Sequence, residues 1–331
     1  MRRILLGAAL ACTLQISAQE NLEGFFYGSM RQPNGNEWQD PEQLALNKEQ
    51  PVAYAFHFAS DEEALKVLPE NSSYYQNLNG TWKFYWVAKP EDRPEFFYMQ
   101  DYDVSDWADM PVPSCWNIQG IQKDGSLKYG VPIYVNQKVI FQHKVAVDDW
   151  KGGVMRTPPS DWTTFKYPNE VGSYRRNFTV PKDWSGREVY LNFDGVDSFF
   201  YLWVNGKYVG FRKNSRNTAR FDITSYLKSG ENVVALEVYR NSDASFLESQ
   251  DMFRLPGIIR DVYLTSAPKV QIQDLVIQTT SIDGEAKFKV SSVILNKAQN
   301  TNAVRRTYGK TTPAPQYFVS YQVFPVRCIP M

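Results

Sequence analysis

The sequence predicts an all-β protein: a jelly-roll β-sandwich followed by part of a second, immunoglobulin-like β-sandwich. Three observations lead there. From residue 79 onward, apolar and polar residues alternate in short runs; Gly, Asn, Pro and Ser punctuate those runs; and almost no segment carries a long helical period.

The elements follow in order. Residues 19–72 are polar and turn-rich, as in Gln32-Pro33-Asn34-Gly35-Asn36, and predict an extended arm with one short helix over Asp61 to Leu68. After Asn79-Gly80, Trp82, Phe84 and Trp86 alternate with Thr81, Lys83 and Tyr85, the period-two pattern of a half-buried strand. Further strands are predicted over Tyr174 to Val180, Glu188 to Phe193, Phe199 to Val204, Lys207 to Phe211, Asn232 to Tyr239 and Ile258 to Leu264. Asn205-Gly206 marks a type I′ hairpin, because both central residues of that turn need positive φ. Thr224 to Lys228 predicts one helical turn with Asp222 near its start and Ser229-Gly230 as its stop.

A boundary is expected at Ser266-Ala267-Pro268, after which Val270, Ile272, Leu275 and Ile277 open a new strand. The organisation is therefore read as a signal segment over 1–18, an arm over 19–72, a sandwich over 73–268 and an incomplete second sandwich over 269–331. Only 63 residues follow Pro268, whereas an immunoglobulin-like sandwich takes about 100. Alternation weakens after Asn302, which suggests a truncated or frame-shifted end.

Composition narrows the function classes. Lys plus Arg total 36 against 36 Asp plus Glu, so no net field attracts nucleic acid or anionic lipid. Arg2-Arg3, the apolar run Ile4 to Leu14 and Ile16-Ser17-Ala18 form a secretory signal pattern, which implies a secreted or periplasmic protein beginning near Gln19. Ala9-Leu10-Ala11-Cys12 departs from a lipoprotein site, which prefers leucine three before the cysteine, so lipid anchoring is the lesser expectation. No run reaches the roughly 18–20 apolar residues of a membrane span. After signal removal Cys115 and Cys328 remain, too few for a disulfide framework, and His57 and His143 lie in no metal-ligand spacing.

Three motifs point further. They are Val112-Pro113-Ser114-Cys115-Trp116-Asn117 with Val131-Pro132-Ile133-Tyr134-Val135-Asn136; Phe193-Asp194-Gly195-Val196-Asp197-Ser198; and Ser242-Asp243 with the run Glu248 to Val262, which reads Glu-Ser-Gln-Asp-Met-Phe-Arg-Leu-Pro-Gly-Ile-Ile-Arg-Asp-Val. Together with Trp38 to Asn47 and Leu78 to Trp82, they resemble the N-terminal part of bacterial β-galactosidases of glycoside hydrolase family 2, over roughly residues 38–300. The resemblance implies a galactose-binding-domain-like first sandwich, then an immunoglobulin-like one, then a (β/α)8 barrel that holds the acid/base and nucleophile of a retaining mechanism.

By motif position the resemblance implies that Asp251 contacts sugar hydroxyls and a sodium ion, with Asn136 beside it. Asp251, Met252 and Phe253 form the candidate cluster. An ionised carboxylate accepts hydrogen bonds from two hydroxyls, and oxygen ligands suit a hard cation. No catalytic residue is expected here, because a barrel takes about 250 residues, so this chain alone is expected to be inactive. Magnesium is expected only in the barrel that the chain lacks.

Arg254 and Arg260 are expected to pair with Asp251 or Asp261 or to bond loop carbonyls, and Trp82, Trp86 and Trp203 to pack in the core. The expected partner is a β-galactoside, with homo-oligomers implied by family analogy. A stand-alone carbohydrate-binding module, a structural spacer, or part of a related β-glucuronidase or β-mannosidase stay as alternatives, although Glu248 to Gly257 favours a galactosidase.

Overall fold

The computed structural model describes residues 32–135, 169–248, 251–282 and 285–298. The signal segment over 1–18, Asn136 and the chain after residue 298 lie outside the described residues.

The all-β expectation holds. A seven-stranded antiparallel sheet runs in the order β1 (Ala45–Leu46), β10 (Lys207–Lys213), β9 (Phe199–Val204), β12 (Glu231–Tyr239), β6 (Val171–Thr179), β3 (Gly80–Val87), β4 (Ala108–Val112). A four-stranded sheet packs against it in the order β11 (Ala219–Asp222), β7 (Glu188–Phe193), β15 (Val262–Ala267), β2 (Tyr75–Asn77). Three smaller pairs complete the fold: β13 (Met252–Arg254) with β5 (Ile133–Val135), β14 (Gly257–Ile258) with β8 (Val196–Asp197), and β16 (Val270–Ile282) with β17 (Glu285–Asn296). The last pair is a two-stranded hairpin that follows the boundary expected at Pro268.

Strand alternation explains the core. Val189, Leu191 and Phe193 of β7 face Phe200, Leu202 and Val204 of β9 and Val234, Leu236 and Val238 of β12, and all are buried between the sheets. Each such large side chain contributes roughly 1.5–3 kcal/mol on burial. Trp82 joins this core fully buried, whereas Trp86 packs at its margin half-buried. The alternate residues of β9, Phe199, Tyr201 and Trp203, would face water in a simple sandwich, yet they too are buried. They form a second aromatic layer on the outer face of the larger sheet. Tyr98 stacks on Trp203 with centroids 4.7 Å apart, and Trp38 stacks on Tyr239 at 5.3 Å. Arg175 fastens that cover by donating to the carbonyls of Phe97, Gln100 and Tyr102.

Local signals fall where the sequence places them. Asn205 and Gly206 have φ of 52° and 79°, the two positive values of the expected hairpin turn. Asp222 caps the turn at Thr224 by accepting from its N–H at 3.0 Å and its hydroxyl at 2.6 Å. Helix α1 (Asp61–Ala64) starts at Ser60, whose hydroxyl accepts from Glu63 N–H at 3.3 Å, and stops short of the expected Leu68.

Two expectations differ from the structure. Ile258 to Leu264 is not one strand, because Gly257–Ile258 pairs with β8 whereas Val262–Ala267 pairs with β7. Nor is the arm merely extended: Ala45 and Leu46 pair with Arg212 and Phe211 and extend the larger sheet at its edge.

Candidate functional site

The candidate site stands where β13 meets β5. Phe253 pairs with Tyr134 and Met252 with Val135, which places Asp251 beside the Tyr134 ring. The Tyr134 hydroxyl donates to Asp251 Oδ1, and this bond to a carboxylate raises the tyrosine pKa. The Tyr134 and Phe253 rings lie 5.4 Å apart and are 53% and 62% exposed, so two aromatic faces and one carboxylate open together to solvent. Asp251 and Phe253 were expected together; Tyr134 was not. It stands inside the quoted motif before Asn136, but only strand pairing brings it to Asp251 across 117 positions.

Below this surface lies a buried ion pair. Arg240 Nη1 meets Glu170 Oε1 at 2.5 Å, and both side chains are 3% exposed. Glu170 Oε2 also accepts from the Trp116 indole at 3.0 Å and from Asn117 Nδ2 at 3.3 Å. Arg240 Nη2 donates to the carbonyls of Val131 at 2.8 Å and Arg254 at 3.3 Å. One guanidinium thus ties the approach to β5 and the end of β13 to a single anchor. Gly130 makes the approach possible: its φ is +71°, and a Cβ there would stand 2.1 Å from Glu170 Oε1.

A second charged group supports Met252. Asp197 accepts from Arg216 Nη2 at 3.2 Å and has the Ser215 hydroxyl oxygen 3.3 Å away, while Arg216 Nη2 also reaches Met252 Sδ at 3.4 Å. Glu248 accepts from the Ser215 N–H at 2.9 Å and from its hydroxyl at 2.6 Å. Burial pushes the Asp197 carboxyl up to about 6, with Arg216 opposing the rise and Glu248 adding to it. Asp197, Arg216, Glu248 and Met252 are among the residues that line a cavity of about 100 Å³.

The two arginines singled out in the sequence take the carbonyl alternative. Arg254 Nη1 donates to Glu248 O at 2.9 Å and Arg260 Nη1 to Arg216 O at 2.7 Å. Asp261 instead accepts from Asn79 Nδ2 at 2.8 Å. Among the described residues no group of three or more His, Cys, Asp or Glu side chains could hold a metal ion, and no helix is long and apolar enough to cross a membrane.

These features define an all-β sandwich module that presents the aromatic rings of a small strand pair and the adjoining Asp251 carboxylate at its surface. The chain belongs to glycosyl hydrolases family 2, whose sugar binding domain matches residues 75–268. It is 40% identical over 264 residues to a beta-galactosidase of Priestia megaterium, covering 78% of this chain and 24% of that protein. It is 38% identical over 243 residues to a beta-galactosidase of Psychromonas ingrahamii, covering 73% of this chain and 21% of that protein. A solved structure of a calcium-binding mutant of Bacteroides uniformis beta-glucuronidase 2 aligns with TM-score 0.48 and 21% identity, covering 68% of this chain and 22% of that one. The chain thus spans about a quarter or less of the length of these relatives.

Proposed function

We propose that this chain is the sugar-binding front end of an exported β-galactosidase, contributing a loop to the galactoside pocket while the catalytic carboxylates lie elsewhere. The observation that carries this reading is the exposed Asp251 carboxylate, oriented by the Tyr134 hydroxyl and flanked by the Phe253 ring. A carboxylate accepts from sugar hydroxyls, and exposed aromatic faces pack on the C–H faces of a pyranose. Asn136 continues the chain from β5 and would bring an amide able to donate and accept at once.

Asp251 also fits one ligand of a sodium site, being an exposed anionic oxygen donor. Since no other acidic cluster accompanies it among the described residues, the remaining ligands would be carbonyls, water or groups from elsewhere in the enzyme. The ion would bring positive charge to a hydroxyl-binding surface.

The test is a nuclear magnetic resonance titration of the purified chain with a non-hydrolysable thio-β-galactoside. Shifts confined to Tyr134, Asp251 and Phe253 support the reading, and shifts that avoid all three overturn it. The exposed ring pair also favours a second reading, an autonomous carbohydrate-binding module. That reading requires saturable sugar affinity in this chain alone, whereas a pocket loop binds weakly without its other walls.

A further inference from the structure

The sequence holds three Asn-Gly pairs: Asn34-Gly35, Asn79-Gly80 and Asn205-Gly206. Each has the residue types for spontaneous loss of the asparagine amide, because glycine, lacking a Cβ, lets its own backbone nitrogen swing onto the preceding side-chain carbonyl. By residue type the three are alike. Their hydrogen bonds separate them.

Two of the amides are held at both ends. Asn205 Oδ1 accepts from Val233 N–H at 2.9 Å, and its Nδ2 donates to Tyr226 O at 2.9 Å and Asn232 Oδ1 at 2.7 Å. Asn79 Oδ1 accepts from Val262 N–H at 2.9 Å, and its Nδ2 donates to Asp261 Oδ1 at 2.8 Å. Gly80 is also fixed in β3 opposite Val112. Turning either amide towards the next backbone nitrogen breaks the bonds that hold it, which slows the attack by at least about tenfold.

Asn34 differs. It is exposed, and its Oδ1 accepts from Asn36 N–H at 2.7 Å, but neither its Nδ2 nor the Gly35 N–H has a hydrogen-bond partner among the described residues. The Arg93 guanidinium flanks this glycine, its Nη2 3.8 Å from where a Cβ would stand, and the Glu237 carboxylate at 3.2 Å from Arg93 Nε holds it there. A cation beside an amide favours loss of the amide proton, and the deprotonated nitrogen is the nucleophile.

We propose that Asn34 is a built-in deamidation site at which the folded chain converts to isoaspartate, and that the conversion releases the arm from the outer aromatic layer. Gly35 N bonds to Asn34 Cγ, the Cγ–Nδ2 bond breaks, and ammonia leaves with the Gly35 proton. Water then opens the resulting ring. Cleavage between Gly35 N and Cγ gives aspartate; cleavage between Gly35 N and the main-chain carbonyl carbon of residue 34 gives isoaspartate, whose backbone runs through Cγ and is one carbon longer. That extra atom falls between two anchors of the arm, since Asn34 N–H donates to Glu37 Oε1 at 2.9 Å and the Trp38 indole donates to Gly35 O at 3.1 Å. Glu37 is 4% exposed and accepts from the Tyr201 hydroxyl at 2.6 Å, while Trp38 stacks on Tyr239. A longer backbone cannot keep both anchors, and the new carboxylate adds a like charge beside Glu37.

The proposal is independent of the reading given for Asp251. The purified 331-residue chain, aged in mildly alkaline buffer with and without guanidinium chloride and mapped by peptide mass spectrometry, reports all three sites side by side. In the folded chain Asn34 should convert at least about tenfold faster than Asn79 or Asn205, and in guanidinium chloride the three rates should come within about threefold of one another. Chain carrying isoaspartate at position 34 should be cut by limited proteolysis before Ala45 several-fold faster than fresh chain, and Asn34→Gln aged in parallel should not. Asn79 or Asn205 keeping pace with Asn34 in the folded chain overturns the proposal. So does an arm as resistant after conversion as before, or an aged Asn34→Gln chain that loses its arm equally fast.

Discussion

Glu170 and Arg240 form a 2.5 Å ion pair in the interior, each side chain 3% exposed, and through it the two backbone segments that carry Tyr134 and Asp251 share one anchor. Both members have further partners, since Trp116 and Asn117 donate to Glu170 and two carbonyls accept from Arg240 Nη2. Removing one partner leaves the other buried and uncompensated. Glu170→Gln should therefore destabilise the chain by about 3–5 kcal/mol, read as a lower urea midpoint at unchanged m-value. Gly130→Ala should act on the same anchor by forcing a Cβ into the Glu170 carboxylate from a left-handed backbone. An unchanged midpoint in both variants would show that the anchor contributes nothing.

Two half-buried groups make opposing contributions to stability between pH 4 and 6.5. Asp197 is raised to about 6 by burial, so the native state holds its proton more tightly than the unfolded chain, and stability falls as pH rises from about 4 to 6. His57 is pulled down to about 4 by burial, with Arg220 and Arg187 adding to the effect, so the unfolded chain binds the proton first and stability falls as pH drops below 6.5. Each shift is worth about 3 kcal/mol at most, and the two slopes oppose. Urea midpoints of the wild-type chain should vary little from pH 4.5 to 6.5. Asp197→Asn should make stability rise with pH across that window, and His57→Gln should make it fall. Parallel profiles for the three proteins would contradict both assignments.

In an enzyme that contains this sandwich and its catalytic barrel, Asp251→Asn should lower kcat/KM for a nitrophenyl β-galactoside roughly ten- to a hundredfold at an unchanged melting temperature. That corresponds to losing one charge-assisted hydrogen bond of about 1.5–3 kcal/mol. Tyr134→Phe removes the hydroxyl that orients Asp251 and should reduce kcat/KM by a smaller factor in the same direction. Wild-type kinetics in Asp251→Asn would return the residue to an ordinary solvated loop.

If the chain is exported as proposed, the mature protein should begin at or near Gln19, after the signal pattern of Arg2-Arg3, the Ile4 to Leu14 run and Ala18. Amino-terminal sequencing of the periplasmic fraction checks this. An intact Met1 or an acylated Cys12 would rule it out.

The residue pattern by itself determined the long strands of the sandwich, but not the short strands β1, β2, β4, β5, β8, β11, β13 and β14 or the return strand β17. The bounds of Glu188–Phe193 and Phe199–Val204 coincide with the structure, and Asn205-Gly206 turns as its chemistry demands, because side-chain alternation and turn preference act between neighbours. The motif around Asp251 was read through its resemblance to glycoside hydrolase family 2, as a contiguous run. Tertiary structure alone decided which strands meet and what covers them. That both faces of β9 are buried follows from the 97–102 loop closing over Trp203, and the split of Ile258 to Leu264 follows from two different partner strands. Tyr134 reaches Asp251 through register across 117 positions, and Arg240 finds Glu170 across 70. A buried charge must be answered by some opposite charge or dipole, but the sequence does not say which, because that choice is made by the packing of distant segments around a shared core.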